Sequence, residues 1–431
     1  MSRIALLAAL IYVIILAGIG SLNGSVLTLA LPLAVYLLAG LWRGPESLNL
    51  SAERTISSER VTPGEVITVS VKVANHGSSL AQVSLYDPLP DFLEVVEGSN
   101  ARLVKLPANE SLSWSYTLRG RRGHHKFNGL NILADDGFGL VLKRKFLPTS
   151  GQLLVLPSVA RVRRIAIQPR QTRVYSGVIP AHQGGAGIEF FGLRAYQPGD
   201  SPHRINWRAS ARQDGALYTN EYEQERVADV GIVLDGRSRI NNFSDKSSIF
   251  DDSVLAAVAV SSALLAEGNR VGLLVYGDRA RWTSPGYGKR QRERIMHNLA
   301  IARTGESQNF KSLFIPRRMF PTNSQIILIS PLHADDLPIL TQLRMSGYPL
   351  MVISPDPVSF EARKLGERAA VRLAARIARL EREIVLRRLR GFGIQVINWD
   401  TSMPFEQVAR ASLSRPASFL RATRSESGVH A

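Results

Sequence analysis

The stretch Val230-Gly231-Ile232-Val233-Leu234 is a continuous apolar run, and the polar turn Asp235-Gly236-Arg237-Ser238-Arg239 follows it directly. Four similar runs lie further along the chain, separated by segments whose apolar residues have helical spacing. These runs occupy residues 271–276, 326–330, 350–354 and 394–398. Buried strands joined by helical crossovers require a parallel sheet covered on both faces. The sequence therefore predicts a doubly wound α/β domain over residues 229–414.

Residues 169–228, just before this domain, form a connecting segment that is dense in arginine, acidic and aromatic residues. Its distinctive members are Arg194, Tyr196, Pro198, Gly199, Asp200, Asn206, Trp207, Arg208, Ser210, Arg212, Tyr222, Glu223 and Glu225. In a structural interpretation, residues 198–200 form a turn, Trp207 fills a gap in the core, and the arginines pair with the carboxylates of residues 221–225. In a functional interpretation, the same arginine and aromatic side chains form a hot spot that binds another protein. The glycine-rich run at 184–187 is predicted to be a flexible turn.

Residues 46–168 consist of short, alternating, β-branched runs, such as 66–73, 81–86 and 111–118. Turn-forming pairs, including Pro63-Gly64 and Asp87-Pro88, lie between these runs. The pattern predicts an antiparallel β-sandwich. It resembles bacterial immunoglobulin-like modules, a resemblance that implies a fold and no function.

Two apolar stretches, residues 4–20 and 26–42, precede the predicted sandwich and are separated only by residues 21–25. Each is near the short end of the length that spans a bilayer, so residues 1–45 are predicted to form a two-helix anchor. Arg3 and Arg43 flank the pair, and the positive-inside bias places the remaining chain in the cytoplasm, at the inner (cytoplasmic) membrane. The alternative, a cleaved signal peptide, lacks a clear small-x-small cleavage site.

The composition narrows the possible chemistry. The 431 residues include no cysteine, which excludes a disulfide scaffold, a thiolate zinc site and a cysteine nucleophile. The formal net charge is +17, which favours an anionic partner. Nucleic acid is not expected, because no binding motif with interleaved aromatic residues is present. An anionic membrane surface is the expected partner for much of this charge. The tail, residues 415–431, is predicted to be flexible.

Residues 360–390 are predicted to form one long, basic, amphipathic helix. Leu373, Ile377, Leu380 and Ile384 form its apolar stripe, and arginines such as Arg376 and Arg379 point away from it. The first interpretation is that the stripe covers the sheet and the arginines are solvated. The second is that the helix docks on a membrane surface or a partner.

The turn after the first strand is the main candidate site, because ligands of open α/β sheets bind beyond the carboxyl ends of the strands. Residues 235–239 resemble the place where von Willebrand factor A domains carry Asp-x-Ser-x-Ser, whose oxygens help to hold magnesium. Here Arg237 and Arg239 occupy the serine positions, and residues 330–333 offer no aligned carboxylate. We therefore expect no metal, no other cofactor and no catalytic residue, with Asp235 paired to Arg237 or Arg239. If a cation binds, Asp235 and Ser238 are its expected ligands.

Taken together, the motifs resemble the membrane-anchored bacterial and archaeal family catalogued as domain of unknown function 58. The matching motifs are Arg121-Arg122-Gly123, Asp136-Gly137-Phe138-Gly139-Leu140, Arg194-x-Tyr196-x-Pro198-Gly199-Asp200, Ile205-Asn206-Trp207-Arg208-Ala209-Ser210-Ala211-Arg212 and Tyr222-Glu223-x-Glu225. The resemblance implies a von Willebrand factor A-like α/β domain and a MoxR-type AAA+ ATPase as partner, in assembly or chaperone-like work. The expectation is a non-enzymatic, membrane-tethered interaction module. The alternative is a metal-dependent hydrolase centred on Asp235, with Asp356 or Asp400 converging on it.

Overall fold

The computed structural model describes residues 3–43, 48–135, 140, 142–160, 162, 165–167, 173–212, 216–241, 248–306, 315–322, 324–366 and 368–413. They belong to two compact units, Met1–Leu156 and Pro157–Ala431. The division falls earlier than the predicted sandwich boundary at residue 168, since Ile165 packs in the core of the second unit. The tail 415–431 and the motif residues 136–139 lie outside the described residues.

The first unit begins with two helices, α1 (Arg3–Gly20) and α2 (Gly24–Arg43). Both are long and apolar enough to cross a membrane, with mean hydropathies of 2.4 and 2.0. The two helices pack closely at Gly18, where a larger side chain would not fit. A Cβ added to Gly18 would lie 2.8 Å from the Leu27 side chain. Small residues of this kind let membrane helices approach each other. These helices indicate membrane anchoring, as the sequence predicted.

Nine strands follow among the described residues of the first unit. They are β1 (Leu50–Ile56), β2 (Arg60–Val61), β3 (Ile67–Asn75), β4 (Leu80–Tyr86), β5 (Leu93–Glu97), β6 (Ala101–Leu106), β7 (Ser111–Gly120), β8 (Gly123–Asp135) and β9 (Leu142–Val155). They form two sheets, ordered β1-β3-β7-β5 and β2-β9-β8-β4-β6. Side chains from both sheets share one apolar core, including Val71 from one sheet and Leu85 from the other. The alternation in β3 explains this arrangement, since every second side chain faces that core.

A charged cluster is enclosed in the β-sandwich. Arg54 on β1 donates to Asp87, just after β4, with Nη2–Oδ1 at 2.5 Å and Nε–Oδ2 at 3.1 Å. Arg54 also donates to the carbonyl of Thr149 at 2.6 Å, and the Tyr116 hydroxyl donates to Asp87 at 2.7 Å. Both charged side chains are fully buried. Burial raises the pKa of Tyr116, and its hydrogen bond to Asp87 adds to that effect.

The second unit contains a six-stranded sheet and the helices that cover it. Its elements in chain order are β10 (Arg173–Ala195), α3 (Trp207–Ser210), β11 (Tyr218–Val227), β12 (Asp229–Asp235), α4 (Ile249–Ala266), β13 (Arg270–Tyr276), β14 (Arg281–Gly286), α5 (Gly288–Ala300), β15 (Gln325–Ile329), α6 (Leu337–Met345), β16 (Leu350–Pro355), α7 (Pro357–Leu365), α8 (Ala369–Gly391), β17 (Gln395–Trp399) and α9 (Phe405–Ser412). The sheet order is β14-β13-β12-β15-β16-β17. All its pairings are parallel except that of β14, which runs antiparallel at one edge.

Apolar cores cover both faces of this sheet. Along β12, Ile232 and Leu234 belong to one core, whereas Val233 belongs to the other. The first core also contains most of α4, a helix apolar and long enough to cross a membrane but mostly buried within this unit. A strand with a continuously apolar interior, such as residues 230–234 of β12, fits only between two such layers.

The connecting segment is a hairpin, because β10 pairs antiparallel with β11. The prediction of a flexible turn at residues 184–187 was wrong: Gly184 pairs with Glu223 and Gly185 with Tyr222. The register shifts between Gly185 and Phe190, and glycine in a strand commonly marks such an irregularity. These interruptions remove the two-residue periodicity by which strands are recognised in a sequence.

The prediction of one helix over residues 360–390 was also wrong. Gly366 has a φ of 78° and ends α7, so α7 and α8 are separate helices. The stripe formed by Leu373, Ile377, Leu380 and Ile384 does not cover the sheet, because these four side chains are exposed. Leu386 and Leu389 are the α8 residues that are buried instead.

The first turn of α4 carries a carboxyl group with a displaced pKa. Ser248 caps this helix by accepting from the backbone N–H of Asp251 at 3.0 Å. Burial, together with the neighbouring Asp251, raises the pKa of Asp252 to about 7. The folded protein thus binds more protons than the unfolded chain between about pH 4 and about pH 7, so its stability falls as pH rises through that window.

We expect Asp252→Asn to remove most of this dependence, because the amide does not ionise. Above about pH 7 the variant should be more stable than the parent by on the order of 1 kcal/mol, since partial access to water weakens the penalty. Urea unfolding in detergent at a series of pH values measures the slope. Parallel slopes for the variant and the parent would contradict the prediction.

Candidate functional site

Asp235 lies at the topological switch point of the α/β sheet. It is the last residue of β12, whose neighbours are β13 on one side and β15 on the other. The strand order reverses between β12 and β15, the place where ligands of open α/β sheets bind. Asp235 is fully buried there, and the Ser330 hydroxyl, just after β15, donates to it at 2.7 Å.

A guanidinium group joins Asp235 to a second buried carboxylate. Arg237 donates to Asp235 from Nε at 3.0 Å and from Nη2 at 2.7 Å. The same side chain donates to Asp336 from Nη1 and Nη2, both at 2.8 Å. Asp235 is therefore paired with Arg237, one of the two arginines that the sequence offered.

The loop after β15 contributes a carboxylate that was not predicted. Residues 330–333 were expected to offer no aligned carboxylate and contain none, but Asp336, three positions further on, reaches the site through Arg237. A 3₁₀ turn that His333 caps brings Asp336 inward, and the backbone N–H of His333 donates to its carboxylate at 2.8 Å. Comparing only the positions directly after β15 does not reveal Asp336, because the 3₁₀ turn brings it to the site from further along the chain.

The other two polar residues of the 235–239 turn face elsewhere. Ser238 donates from its hydroxyl to Glu306, and Arg239 forms an exposed ion pair with Asp335 at 3.3 Å. Ser238 is thus engaged away from Asp235.

The electrostatics of the cluster follow from its burial. Burial raises the pKa of Asp235, and the hydrogen bonds from Arg237 and Ser330 counter that effect. Burial lowers the pKa of Arg237, but hydrogen bonds to Asp336 and Asp235 outweigh it and leave the pKa above its ordinary value. Arg237 therefore remains a cation throughout the physiological pH range.

A second arginine lies at the same edge of the sheet. Arg382, from α8, donates to the carbonyl of Pro331 at 2.6 Å and to the Ser354 hydroxyl at 2.7 Å. It also pairs with Asp356 at 3.3 Å, and both side chains are buried. Burial lowers the pKa of Arg382, and Asp356 opposes that shift. We call Asp235, Arg237, Asp336, Asp356 and Arg382 the arginine-filled crown.

The crown does not fit a magnesium ion. Magnesium requires oxygen ligands in near-octahedral geometry, but here a guanidinium group lies between the two carboxylates that would approach it. Among the residues that the structure describes, no group of three or more histidine, aspartate or glutamate side chains is placed to hold a metal. Asp356 is paired with Arg382, and Asp400 accepts from the backbone of Ser402 in a local turn at 2.9 Å.

The connecting segment forms a second candidate site, built on a braced turn. Arg194 donates to both oxygens of Asp200, at 2.8 and 2.6 Å, and lies 3.7 Å from Glu221. The hydrogen bond from Arg194 lowers the pKa of Asp200. Within this turn, the Tyr196 hydroxyl lies 3.4 Å from the Asp200 carbonyl, and Gly199 adopts a φ of 107°, which favours glycine. Pro198 precedes that glycine.

Asn206 fixes the next part of this segment. Its Oδ1 accepts from the backbone N–H of Ala209 at 2.9 Å, and its Nδ2 donates to Asn220 on β11 at 2.8 Å. The Ser210 hydroxyl donates to the Asn206 carbonyl and accepts from the backbone N–H of Tyr218, both at 2.9 Å. The short helix α3 is therefore tied to β11 at both of its ends.

Trp207, the first residue of α3, is 66% exposed, so the prediction that it fills a gap in the core was wrong. Arg208 and Arg212 are exposed beside it. Phe190 and Leu193, near the end of β10, are also exposed. The structural interpretation holds for the Arg194 pairs, whereas the aromatic residue faces solvent. We call residues 194–212 the braced loop.

Three other motif positions, Tyr222, Glu223 and Glu225, lie on β11. The Arg204 guanidinium stacks 5.5 Å from the centroid of the Tyr222 ring. The side chains of Glu223 and Glu225 lie outside the described residues.

Comparison with known proteins adds a family match for part of the chain. Residues 192–314 match the family described as "Protein of unknown function DUF58", a span that contains the braced loop, β12 and Asp235. The chain is also similar to "Uncharacterized protein YeaD" of Bacillus subtilis (strain 168). The two are 27% identical over 277 residues, which cover 63% of this chain and 67% of that protein.

Solved structures resemble smaller parts of the chain. The CARDB domain of PF1109 from Pyrococcus furiosus is 14% identical with a TM-score of 0.18, covering 25% of this chain and 92% of that one. A non-cellulosomal cohesin from Archaeoglobus fulgidus is 18% identical with a TM-score of 0.17, covering 25% and 90%. Similarities at these TM-scores do not indicate a function.

Proposed function

We propose that the protein is a membrane-tethered interaction module without enzymatic activity, and that the family similarity extends beyond the matched span. Its partner would be a MoxR-type AAA+ ATPase, for which it acts as an adaptor in assembly or chaperone-like work. The two N-terminal helices would hold it in the cytoplasmic membrane, with the soluble units in the cytoplasm. The α/β domain would be of the von Willebrand factor A type, with the arginine-filled crown in place of a metal site.

The exposed side chain of Trp207 on the braced loop is the observation that carries this proposal. Exposing a large aromatic side chain to water is unfavourable unless another surface covers it. The Arg194–Asp200 pair and the Asn206 bonds hold the loop in place before a partner arrives. Binding to such a preorganised loop costs little conformational entropy. Tryptophan and arginine are also the residues enriched in binding hot spots.

The crown supports the non-enzymatic part of the proposal. Asp235 and Asp336 accept hydrogen bonds from Arg237, and Asp356 forms an ion pair with Arg382. Carboxylates engaged in this way are poorly suited to act as metal ligands or general bases. We find no specific observation that favours the alternative, a hydrolase centred on Asp235. The proposed partners remain a protein and an anionic membrane surface, without nucleic acid.

We expect Trp207→Ala to weaken binding of a MoxR-type ATPase by about 2 kcal/mol, roughly thirtyfold in Kd, as loss of a hot-spot residue does. Trp282→Ala is the matched control, because Trp282 is 62% exposed but lies on the edge strand β14, outside the braced loop. Binding of the detergent-solubilised full chain to the purified ATPase at low ionic strength measures both variants. Equal effects of the two substitutions, or no binding by the parent chain, would refute the proposal.

A further inference from the structure

Helix α8 exposes an apolar stripe on the side opposite to its packed face. Leu373, Ile377, Leu380 and Ile384 are between 51% and 63% exposed. Their spacing places them along one line of the helix, since residues four and three apart are neighbours on its surface. The buried residues Leu386 and Leu389 lie roughly opposite at about 100° per residue. The helix therefore has one apolar face for its own domain and another that nothing in the described structure covers.

Arginine side chains border this stripe. The helix carries seven arginines against two glutamates, a net charge of +5. Arg372, Arg376 and Arg379 lie on one side of the stripe and line a cleft of about 720 Å³, together with Arg363 and Asp400. Arg387 and Arg390 pair with Glu383 further along the helix.

Mostly apolar residues, together with Glu361, line the other side of the stripe. A groove of about 510 Å³ runs between α7 and α8, lined by residues that include Val358, Leu365, Ala370, Ala374 and Ala378. Around the helix, the order is thus an apolar groove, an apolar stripe and an arginine row. An amphipathic helix that lies in the interface of a membrane has this arrangement, with apolar side chains among the acyl chains and cationic ones at the headgroups.

We propose that α8 docks on the surface of an anionic phospholipid bilayer, with the stripe inserted and the arginine row on the lipid phosphates. This inference rests on the proposed function, which includes an anionic membrane surface among the partners, and names the helix that meets it. It concerns a different surface from the braced loop. Two observations favour a bilayer over other occupants. The N-terminal helices are long and apolar enough to hold the chain at a membrane, which makes the local concentration of lipid high. The positive charge complements an anionic leaflet.

A second copy of this helix fits the same surface less well. Pairing two stripes would bring two helices of charge +5 together, and like charges at such a seam are destabilising. An acidic protein helix would meet the charge requirement, but it lacks the local concentration that tethering gives to lipid. Both alternatives are separated from the bilayer by the experiment below.

The test uses the full chain, which contains no cysteine and so accepts one labelled position. Ile377→Cys, labelled with an environment-sensitive fluorophore, is reconstituted into vesicles of phosphatidylcholine alone or mixed with phosphatidylglycerol. We expect a blue-shifted, severalfold stronger emission in the mixed vesicles, together with quenching by lipids that carry a quencher on the acyl chain. The signal should fall at high salt. Trp282→Cys carries the same label as the control and should not respond.

Two sets of substitutions test the chemistry. Each of Arg372→Gln, Arg376→Gln and Arg379→Gln should lower the docked-to-free ratio roughly fivefold. Each of Leu380→Ser and Ile384→Ser should lower it roughly tenfold. These side chains are on the surface, so thermal unfolding of the variants should match that of the parent.

Three outcomes would overturn the proposal. The first is equal exposure of the Ile377 and Trp282 labels to aqueous quencher in both kinds of vesicle. The second is a response that depends on protein density and not on lipid charge, which would indicate a second copy. The third is a response that appears only when an acidic protein is added. Because docking should persist in Trp207→Ala, failure here and failure of the adaptor proposal are distinguishable.

Discussion

Replacing Arg237 by alanine is expected to lower the free energy of unfolding of the α/β unit by about 3–5 kcal/mol, the cost of breaking a buried ion pair from one side. The reason is the geometry of the crown. Arg237 is the cation shared by Asp235 and Asp336, and both carboxylates are almost completely buried. Without it, two negative charges face each other in a region of low dielectric constant. Urea or thermal unfolding of the detergent-solubilised chain measures the loss.

The same variant should depend on pH in a defined direction. Burial already raises the pKa of Asp235, and loss of Arg237 raises it further, because the hydrogen bonds that opposed burial disappear. The folded variant then holds a proton that the unfolded chain releases, so its stability decreases as pH rises. The stability gap between the parent and the variant should therefore widen as pH rises above the ordinary pKa of an aspartate.

Arg239→Ala is the matched control, because Arg239 lies two residues away and also pairs with an aspartate. Its pair with Asp335 is exposed and 3.3 Å long, and exposed pairs contribute about 0–1 kcal/mol. A comparable loss for Arg237→Ala and Arg239→Ala would show that burial of the crown is not what makes Arg237 important.

Most of the fold that could be predicted followed from hydrophobic patterns within single strands and helices. Strand β12 is recognisable because a strand buried on both faces is continuously apolar. The alternation in β3 is equally clear, since one face of a sandwich strand meets the core. The bulged strand β10 and the break at Gly366 were missed, because both depend on backbone geometry that interrupts a periodic pattern.

The candidate site was predictable only where the chain brings neighbours together. Asp235 and Arg237 are two positions apart, so their pairing could be foreseen from the turn. Asp336 and Arg382 reach the crown from distant elements, and no spacing in the sequence indicates that they converge. The exposure of Trp207 was also hidden, because tryptophan is ordinarily found in cores and the sequence does not show which way α3 faces.

The alternation in β1 places Arg54 on the same face as Leu50 and Ile56, but nothing in the sequence indicates that Asp87 meets it there. We expect Asp87→Ala to lower the free energy of unfolding of the first unit by about 3–5 kcal/mol, because it leaves the buried Arg54 cation without its carboxylate. Tyr116→Phe removes only one hydrogen bond to Asp87 and should lower the free energy of unfolding by about 1 kcal/mol. The two substitutions therefore predict a large and a small loss of stability within the same cluster.

A double variant tests whether the unpaired charge is the cause. In Arg54→Met combined with Asp87→Ala, no charge of this ion pair remains buried. The methionine fills part of the volume of the arginine side chain, whose guanidinium carbon lies 4.9 Å from the centroid of the Phe127 ring. The double variant should therefore be more stable than Asp87→Ala alone, with a coupling energy of about 1–3 kcal/mol between the two positions. In a background where phenylalanine replaces the other four tryptophans, unfolding monitored by Trp114 fluorescence reports on this unit, because Trp114 lies in the sandwich core. Strictly additive losses would mean that the two side chains stabilise the sandwich independently, and the ion pair would then not be its main polar contact.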